Sequence, residues 1–391
     1  MDRDPIDSLN APERAALAVS RAHALVPLLA EHAAEAERLR EPTRAVIDAL
    51  LDSRILELLV PRCHGGLELD LDTFLEVGVT LGEGDASMAW VACFYIEHNW
   101  LLCHFPEPFQ RELFRDRSCV LAPAMVAPTG VATRDGSGYR VRGRWQWATG
   151  ISHADWVLVS AQGDEDPRFF AMPVEAVKVE DTWFVDGMSG TGSHDVVVDD
   201  VRVPEERSLP FLDMSAGCAV GARIHASPVY RTPMAPVLTM ATAMPALGQA
   251  HMVLRLFRER MQERVLYATT TKQAESVPAQ ILLARAEVDL RTADLLLRDT
   301  VADVMRLRTE ALIEDRARWM AQFAAVVNRC RDVVRQLVDA SGASTHFLAS
   351  PLQRALRDVQ VLAGHAVLDL DARLEAFGRA RLGLDPKSTL L

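Results

Sequence analysis

A chain of 391 residues with 49% hydrophobic and 25% charged side chains can fill two or three cored domains and is too apolar to be disordered. Its formal net charge of −12 argues against a duplex nucleic-acid binder, which carries a basic face. The acidic opening MDRDPIDSLNAPER lacks a signal peptide's pattern, and no run of about 18 uncharged apolar residues reads as a membrane span, so a cytoplasmic protein is expected.

Three blocks follow one another. Residues 1–118 form an N-terminal helical domain. Helical spacing of apolar residues runs from Ala11 to Ala49 and from Thr73 to Gly82. Ser87 to His104 is apolar almost throughout and reads as a helix buried on most sides, broken by Pro106 and Pro108. Val60-Pro61-Arg62-Cys63-His64-Gly65-Gly66 between these helices is a loop by its Pro and Gly content. Residues 119–212 change to a central β domain, with short runs at Tyr139 to Trp147, Trp156 to Ala161, Arg168 to Pro173 and Asp195 to Pro204. Turn residues punctuate them roughly every ten positions, as in a small barrel or sandwich. Residues 213–391 return to helix over Met234 to Arg264, Ala279 to Met305, Glu310 to Ser341 and Pro351 to Leu382, a C-terminal four-helix bundle. The fold class is therefore mainly α with a central β domain.

Cys63, Cys93, Cys103, Cys119, Cys218 and Cys330 make no CxxC pair, so neither a zinc site nor a disulfide framework is expected. His64, His153, His194, His225, His251 and His346 lack ligand spacing, and no metal is assigned. No Rossmann or P-loop glycine motif is present, so NAD(P)H is not expected to bind here.

Four motifs in order resemble the acyl-CoA dehydrogenase superfamily, over nearly the whole chain. They are Val60-Pro61 with Gly65-Gly66, Trp147-Ala148-Thr149-Gly150 with Ala154-Asp155, Val196 to Pro204, and Pro351-Leu352-Gln353-Arg354 with Arg357-Asp358. The resemblance implies a helical domain, a β domain and a bundle. One departure matters. Where the dehydrogenases place a catalytic carboxylate after the Arg-Asp pair, this chain has Ala366, within Gly364-His365-Ala366-Val367.

A second group with that fold is the better match: the oxygenase components of reductase-dependent, two-component flavin monooxygenases, such as the p-hydroxyphenylacetate hydroxylase oxygenase. Tyr95-Ile96-Glu97-His98-Asn99-Trp100 resembles its H-N-W segment, and Met188 to Ser193 with Asp195 resembles its G-T-G-S loop. His365, seven residues past Asp358, resembles its C-terminal active-site histidine, and Gly378-Arg379 with Leu382-Gly383-Leu384 its tail. This resemblance implies that reduced flavin (FMNH2 or FADH2) from a separate NAD(P)H:flavin reductase reacts with O2. A C4a-hydroperoxyflavin then hydroxylates a small aromatic substrate, phenolic or polycyclic. It also implies a homotetramer; from charge and hydropathy, neither a nucleic-acid nor a membrane partner is expected.

The same resemblance assigns residues. His98, Asn99, Trp100 and His365 are catalytic candidates. A histidine titrates near neutrality and can take a phenolic proton. The competing readings are a core histidine bonded to a backbone carbonyl for His98 and a solvated helix-surface histidine for His365. Trp147, Thr149 and Gly150 are candidate flavin contacts, with the Thr149 hydroxyl near the flavin N5. Thr191 and Ser193 are candidates for a flavin phosphate or the substrate entrance, against a plain turn before a strand. Arg231 is a candidate phosphate partner, against a surface arginine. The alternatives are an acyl-CoA dehydrogenase or flavin oxidase, an N- or S-oxygenase on the same fold, and a non-catalytic paralogue.

Overall fold

The computed structural model describes residues 4–388. The N-terminal block opens with α1 (Ala11–Leu39), started by Asn10 and Glu13 in a reciprocal capping box. The expected helix to Ala49 is two helices. Arg40 turns left-handed and Pro42 follows, so α2 (Arg44–Asp52) starts afresh under a Thr43 cap. Next come α3 (Leu71–Gly82), α4 (Ala86–Leu102) and the short α5 (Glu107–Leu113). Asp85 caps α4 through the Met88 N–H at 3.0 Å. Every α4 residue except Phe94 is buried, because the helix is enclosed by α3, the bundle and the β domain.

The β domain is one mixed seven-stranded sheet. It comprises β1 (Ala124–Asp135), β2 (Gly138–Ala148), β3 (Trp156–Gln162), β4 (Pro167–Pro173), β5 (Lys178–Glu180), β6 (His194–Pro204) and β7 (Ser208–Pro210). The order across the sheet is β5-β6-β2-β1-β3-β4-β7. β1 and β3 run parallel and the other pairs antiparallel. β1 was not legible, since Pro128 and Gly130 interrupt its pattern. The sheet surrounds its own core of Trp145, Val141, Val159, Phe170 and Val198.

After two short helices, α6 (Phe211–Ala216) and α7 (Val220–Ile224), the bundle is built from α8 (Met234–Glu263), α9 (Val277–Leu307) and α10 (Ile313–Ser341). The last expected helix is again two, α11 (Pro351–Ala363) and α12 (Leu370–Arg381), separated by a single 3-10 turn. The break follows Gly364: the His365 side chain accepts from the Val367 N–H at 3.4 Å and caps that turn. Contrary to the expectation of no span, α8 is long and apolar enough by composition to cross a bilayer. However, 83% of its most apolar 18-residue window is buried inside the protein. It is the central helix of the bundle, packed on α3, α4 and α10.

Candidate active site

α4 presents Trp90, Phe94 and His98 at four-residue spacing, hence on one face. Their rings form a row. Trp90 stacks on Phe94 at 4.5 Å between centroids, and Phe94 meets His98 edge-on at 5.5 Å. His365, brought over from the end of α11, meets Trp90 edge-on at 5.6 Å. Two histidines 267 positions apart in sequence thus close the two ends of one aromatic wall.

Each ring's proton can be placed. His98 Nδ1 lies 2.7 Å from the Ala122 carbonyl oxygen, so it must carry the hydrogen. Burial lowers the His98 pKa from 6.5 to about 4, against the raising effect of that carbonyl. Its Nε2 is therefore a bare acceptor at neutral pH. His365 has the opposite tautomer. Its Nδ1 accepts from Val367, so Nε2 carries the hydrogen and is a donor. Burial, then the nearby Arg373 charge, lowers it to about 4 as well. The core-histidine reading of His98 and its catalytic reading are compatible, since the backbone bond is what leaves Nε2 as an acceptor. His365 is not a solvated surface residue.

One group escaped notice. Glu97 is 1% exposed and its Oε2 has no partner, while Oε1 lies 3.5 Å from His98 Nε2. Burial holds its pKa well above the usual carboxylate range, which favours the uncharged form of a carboxyl beside the acceptor nitrogen. A carboxylate inside an otherwise apolar helix was the signal that could have marked it.

Asn99 and Trp100 do not reach this wall. The Asn99 amide is spent on backbone, donating to the Tyr95 and Val120 carbonyls and accepting from the Val120 N–H, all within 2.9 Å. It pins the segment that carries Ala122. Trp100 is fully buried, donates to the Val229 carbonyl and packs on His104. At about 100° per residue it lies on the far side of α4 from His98.

Across from Trp90 lies the end of β2. The Trp147 ring is 58% exposed and its backbone is left-handed, at φ 67°. An indole left open on a folded protein is a flat apolar face without an internal partner. Gly150 is left-handed too, and an added Cβ would come within 2.5 Å of the Tyr95 hydroxyl. Its glycine therefore serves the packing of α4, whose Tyr95 donates to the Gly150 carbonyl at 2.6 Å. Thr149 Oγ lies 3.4 Å from Trp90 Nε1 and 3.0 Å from Ser193 Oγ.

Thr191 and Ser193 correct the phosphate reading. Both are buried, at 1% and 3% exposure, because their hydroxyls bond to each other at 2.8 Å and Thr191 Oγ donates to the Met188 carbonyl at 2.9 Å. They face inward, not toward an anion. Arg231 is also placed elsewhere. Its guanidinium donates to the Ala226 carbonyl of its own loop, and its backbone packs on the Gly217 turn near α6.

With each of these contacts a hydrogen bond, the hydroxyls take one polarity. Thr191 gives its single hydrogen to Met188, so Ser193 donates to Thr191 and Thr149 donates to Ser193. Trp90 N–H donates to Thr149. Thr149 oxygen is left with one lone pair and no hydrogen to offer. An exposed indole beside an acceptor oxygen fits a reduced isoalloxazine, which carries an N–H at N5, where the oxidised ring has a bare nitrogen. Ala366 sits exposed in the 3-10 turn after His365, so no carboxylate stands at the dehydrogenase base position.

The family model described as the acyl-CoA dehydrogenase C-terminal domain matches residues 240–370. A pigment production hydroxylase of Rhodococcus sp. (strain ATCC 21145) is 36% identical over 379 residues, covering 95% of this chain and 98% of that protein. The oxygenase subunit HsaA of a flavin-dependent monooxygenase from Rhodococcus jostii (strain RHA1) is 30% identical over 382 residues, covering 95% and 100%. Among solved structures, XiaF from Streptomyces sp. in complex with FADH2 and glycerol superposes with a TM-score of 0.91 at 28% identity, covering 97% of this chain and 98% of that one.

Proposed function

Since the chain belongs to the family of oxygenase components of two-component flavin-dependent monooxygenases, we propose that its substrate is a flat phenol, hydroxylated on the ring. The family membership makes it a flavin monooxygenase that uses reduced flavin and O2 and relies on a separate flavin reductase. When bound, the reduced flavin supplies the two electrons that activate O2, one oxygen atom entering the substrate and the other leaving as water.

The observation that carries the substrate reading is the opposite polarity of the two histidines at the ends of the aromatic wall. His98 Nε2 accepts a hydrogen bond from a ring hydroxyl, which polarises the O–H and raises electron density on the ring carbons. His365 Nε2–H donates to a second oxygen. Phe94 and Trp90 give a ring an apolar face to lie on and keep water from the reacting centre. Trp147 and Thr149 hold the flavin from the β side. FAD is the flavin we assign, in line with the FADH2 complex of XiaF.

The homotetramer is part of the same proposal. α9 leaves Val277, Ile281, Val288 and Leu295 exposed at 62, 53, 66 and 51%. They lie four and seven residues apart, the seam of a helix that packs on another helix. A second copy is the occupant we assign. We place the enzyme in the cytoplasm, in keeping with six cysteines that are all free thiols.

The test is product formation from a phenol and from its O-methyl ether, with chemically reduced FAD and O2. The phenol is expected to be hydroxylated and the ether not, since only the phenol has a proton for His98. Equal turnover of both would overturn the role of His98 as the hydroxyl's acceptor.

A further inference from the structure

The Arg-Asp pair of α11 has no role in the chemistry above, yet Asp358 is one of the few carboxyls buried in the molecule, at 3% exposure. Its Oδ1 accepts the Met188 N–H at 2.6 Å. Met188 is the residue on which the hydroxyl relay ends. It is held left-handed, at φ 57° and ψ 21°, a conformation a non-glycine side chain adopts only when its surroundings enforce it. Three donors converge on its carbonyl: Thr191 Oγ at 2.9 Å, Thr191 N at 3.1 Å and Trp183 Nε1 at 3.1 Å. α11 grips the same turn twice more. Arg357 donates to the Asp186 carbonyl at 2.7 Å, and Gly187 lies so close that a Cβ would come within 2.3 Å of the Arg357 carbonyl oxygen.

We propose that Asp358 is a positioning residue for the flavin: by holding Met188 in its left-handed turn it aims the carbonyl that ends the relay, and so makes Thr149 an acceptor alone, which favours reduced over oxidised flavin. The inference rests on the flavin reading of Thr149 given above. Its logic is a chain of single hydrogens. If the Met188 carbonyl swings away, Thr191 keeps its hydrogen for Ser193, the relay can reverse, and Thr149 becomes free to donate to the bare N5 of oxidised flavin. The preference between redox states is then lost.

Burial first, and then the neighbouring Asp85, push the Asp358 carboxyl up to about 8, while its bond from the Met188 N–H and the charge of Arg354 pull it down and Glu37 adds to the rise. Burial thus favours the uncharged form. An asparagine reproduces such a group: it accepts from the same N–H and adds no charge. A leucine fills the space and accepts nothing. This separates the proposal from an ion-pair role with Arg354 or Arg357, which asparagine would not restore.

The experiment is anaerobic titration of wild type, Asp358→Asn, Asp358→Leu and Ser193→Ala with reduced and with oxidised FAD, reading the ratio of the two Kd values. A general folding defect weakens both forms alike and leaves the ratio unchanged, so the ratio reports on the relay. Wild type and Asp358→Asn are expected to share one ratio favouring the reduced form. Asp358→Leu and Ser193→Ala should each lower it by about tenfold, the scale of one hydrogen bond. A ratio unchanged in Asp358→Leu, or lost in Asp358→Asn, overturns the proposal. If the leucine variant does not fold, Asp358→Ala, which also leaves the Met188 N–H without its acceptor, takes its place with the same expected fall in the ratio. Wild type that binds neither redox form would instead refute the flavin reading of Thr149.

Discussion

His98 should remain an uncharged acceptor far below the pH at which a free histidine protonates. Lowering the pH is the perturbation. A histidine at its usual 6.5 is about three-quarters protonated at pH 6, whereas one at about 4 is protonated to roughly 1%. The cause is burial: His98 is 2% exposed, and the Ala122 carbonyl compensates only in part. Moving a histidine from 6.5 to about 4 corresponds to roughly 3 kcal/mol against imidazolium, at about 1.4 kcal/mol per pKa unit. The sign follows for both activity and stability. With a depressed folded-state value, the unfolded chain binds more protons between about 4 and 6.5. The stability contribution is thus whole above 6.5 and lost as the pH falls through about 4. The activity that needs a bare Nε2 should stay level from pH 8 to about 5 and fall below that. The assay is the pH dependence of kcat/KM for phenol hydroxylation at saturating reduced flavin, beside NMR titration of nitrogen-labelled histidine. An ionisation near 6.5 in wild type that vanishes in His98→Gln would refute the reasoning.

Three further outcomes are expected. Glu97→Leu should raise stability by about 1–2 kcal/mol in thermal unfolding, because it removes a buried oxygen that has no partner. A lowered Tm would show that the carboxyl is bonded after all. Gly150→Ala should cost more than about 2 kcal/mol, from its left-handed backbone and the collision with the Tyr95 hydroxyl. Adding Tyr95→Phe should recover part of that loss in denaturant melts; no recovery would place the whole cost in the backbone. Trp147→Ala should leave stability within about 0.5 kcal/mol, as a mostly exposed residue does, while weakening flavin binding by about tenfold in fluorescence titration. Unchanged affinity would remove Trp147 from the flavin site.

The fold class was legible because it rests on local signals. Apolar spacing marked α3, α4, α8, α9 and α10 to within a few residues, while alternation marked β2, short apolar runs β3 and β4, and a β-branched run β6. Where the pattern and the structure part, short-range chemistry intervened. Arg40 with Pro42 cut the first helix, Gly364 with the His365 cap cut the last, and Pro128 with Gly130 hid β1. The family motifs were also readable as strings, since they are runs of neighbouring residues.

Which of those motif residues face one another was settled only by the tertiary structure. Periodicity places His98, Asn99 and Trp100 side by side in sequence, but the helix turns them to different walls, and one of the three remains at the site. The polarity of each group is likewise tertiary. His98 and His365 are the same residue type, yet the Ala122 carbonyl makes one an acceptor and the Val367 N–H makes the other a donor. The Thr191 and Ser193 hydroxyls read as a phosphate cradle until the Met188 carbonyl is seen to take the end of their chain. Residue type and order determine what chemistry a chain carries. A hydrogen bond's direction depends on the partner that folding brings to it, and in this protein those partners lie as far apart in sequence as Met188 and Asp358.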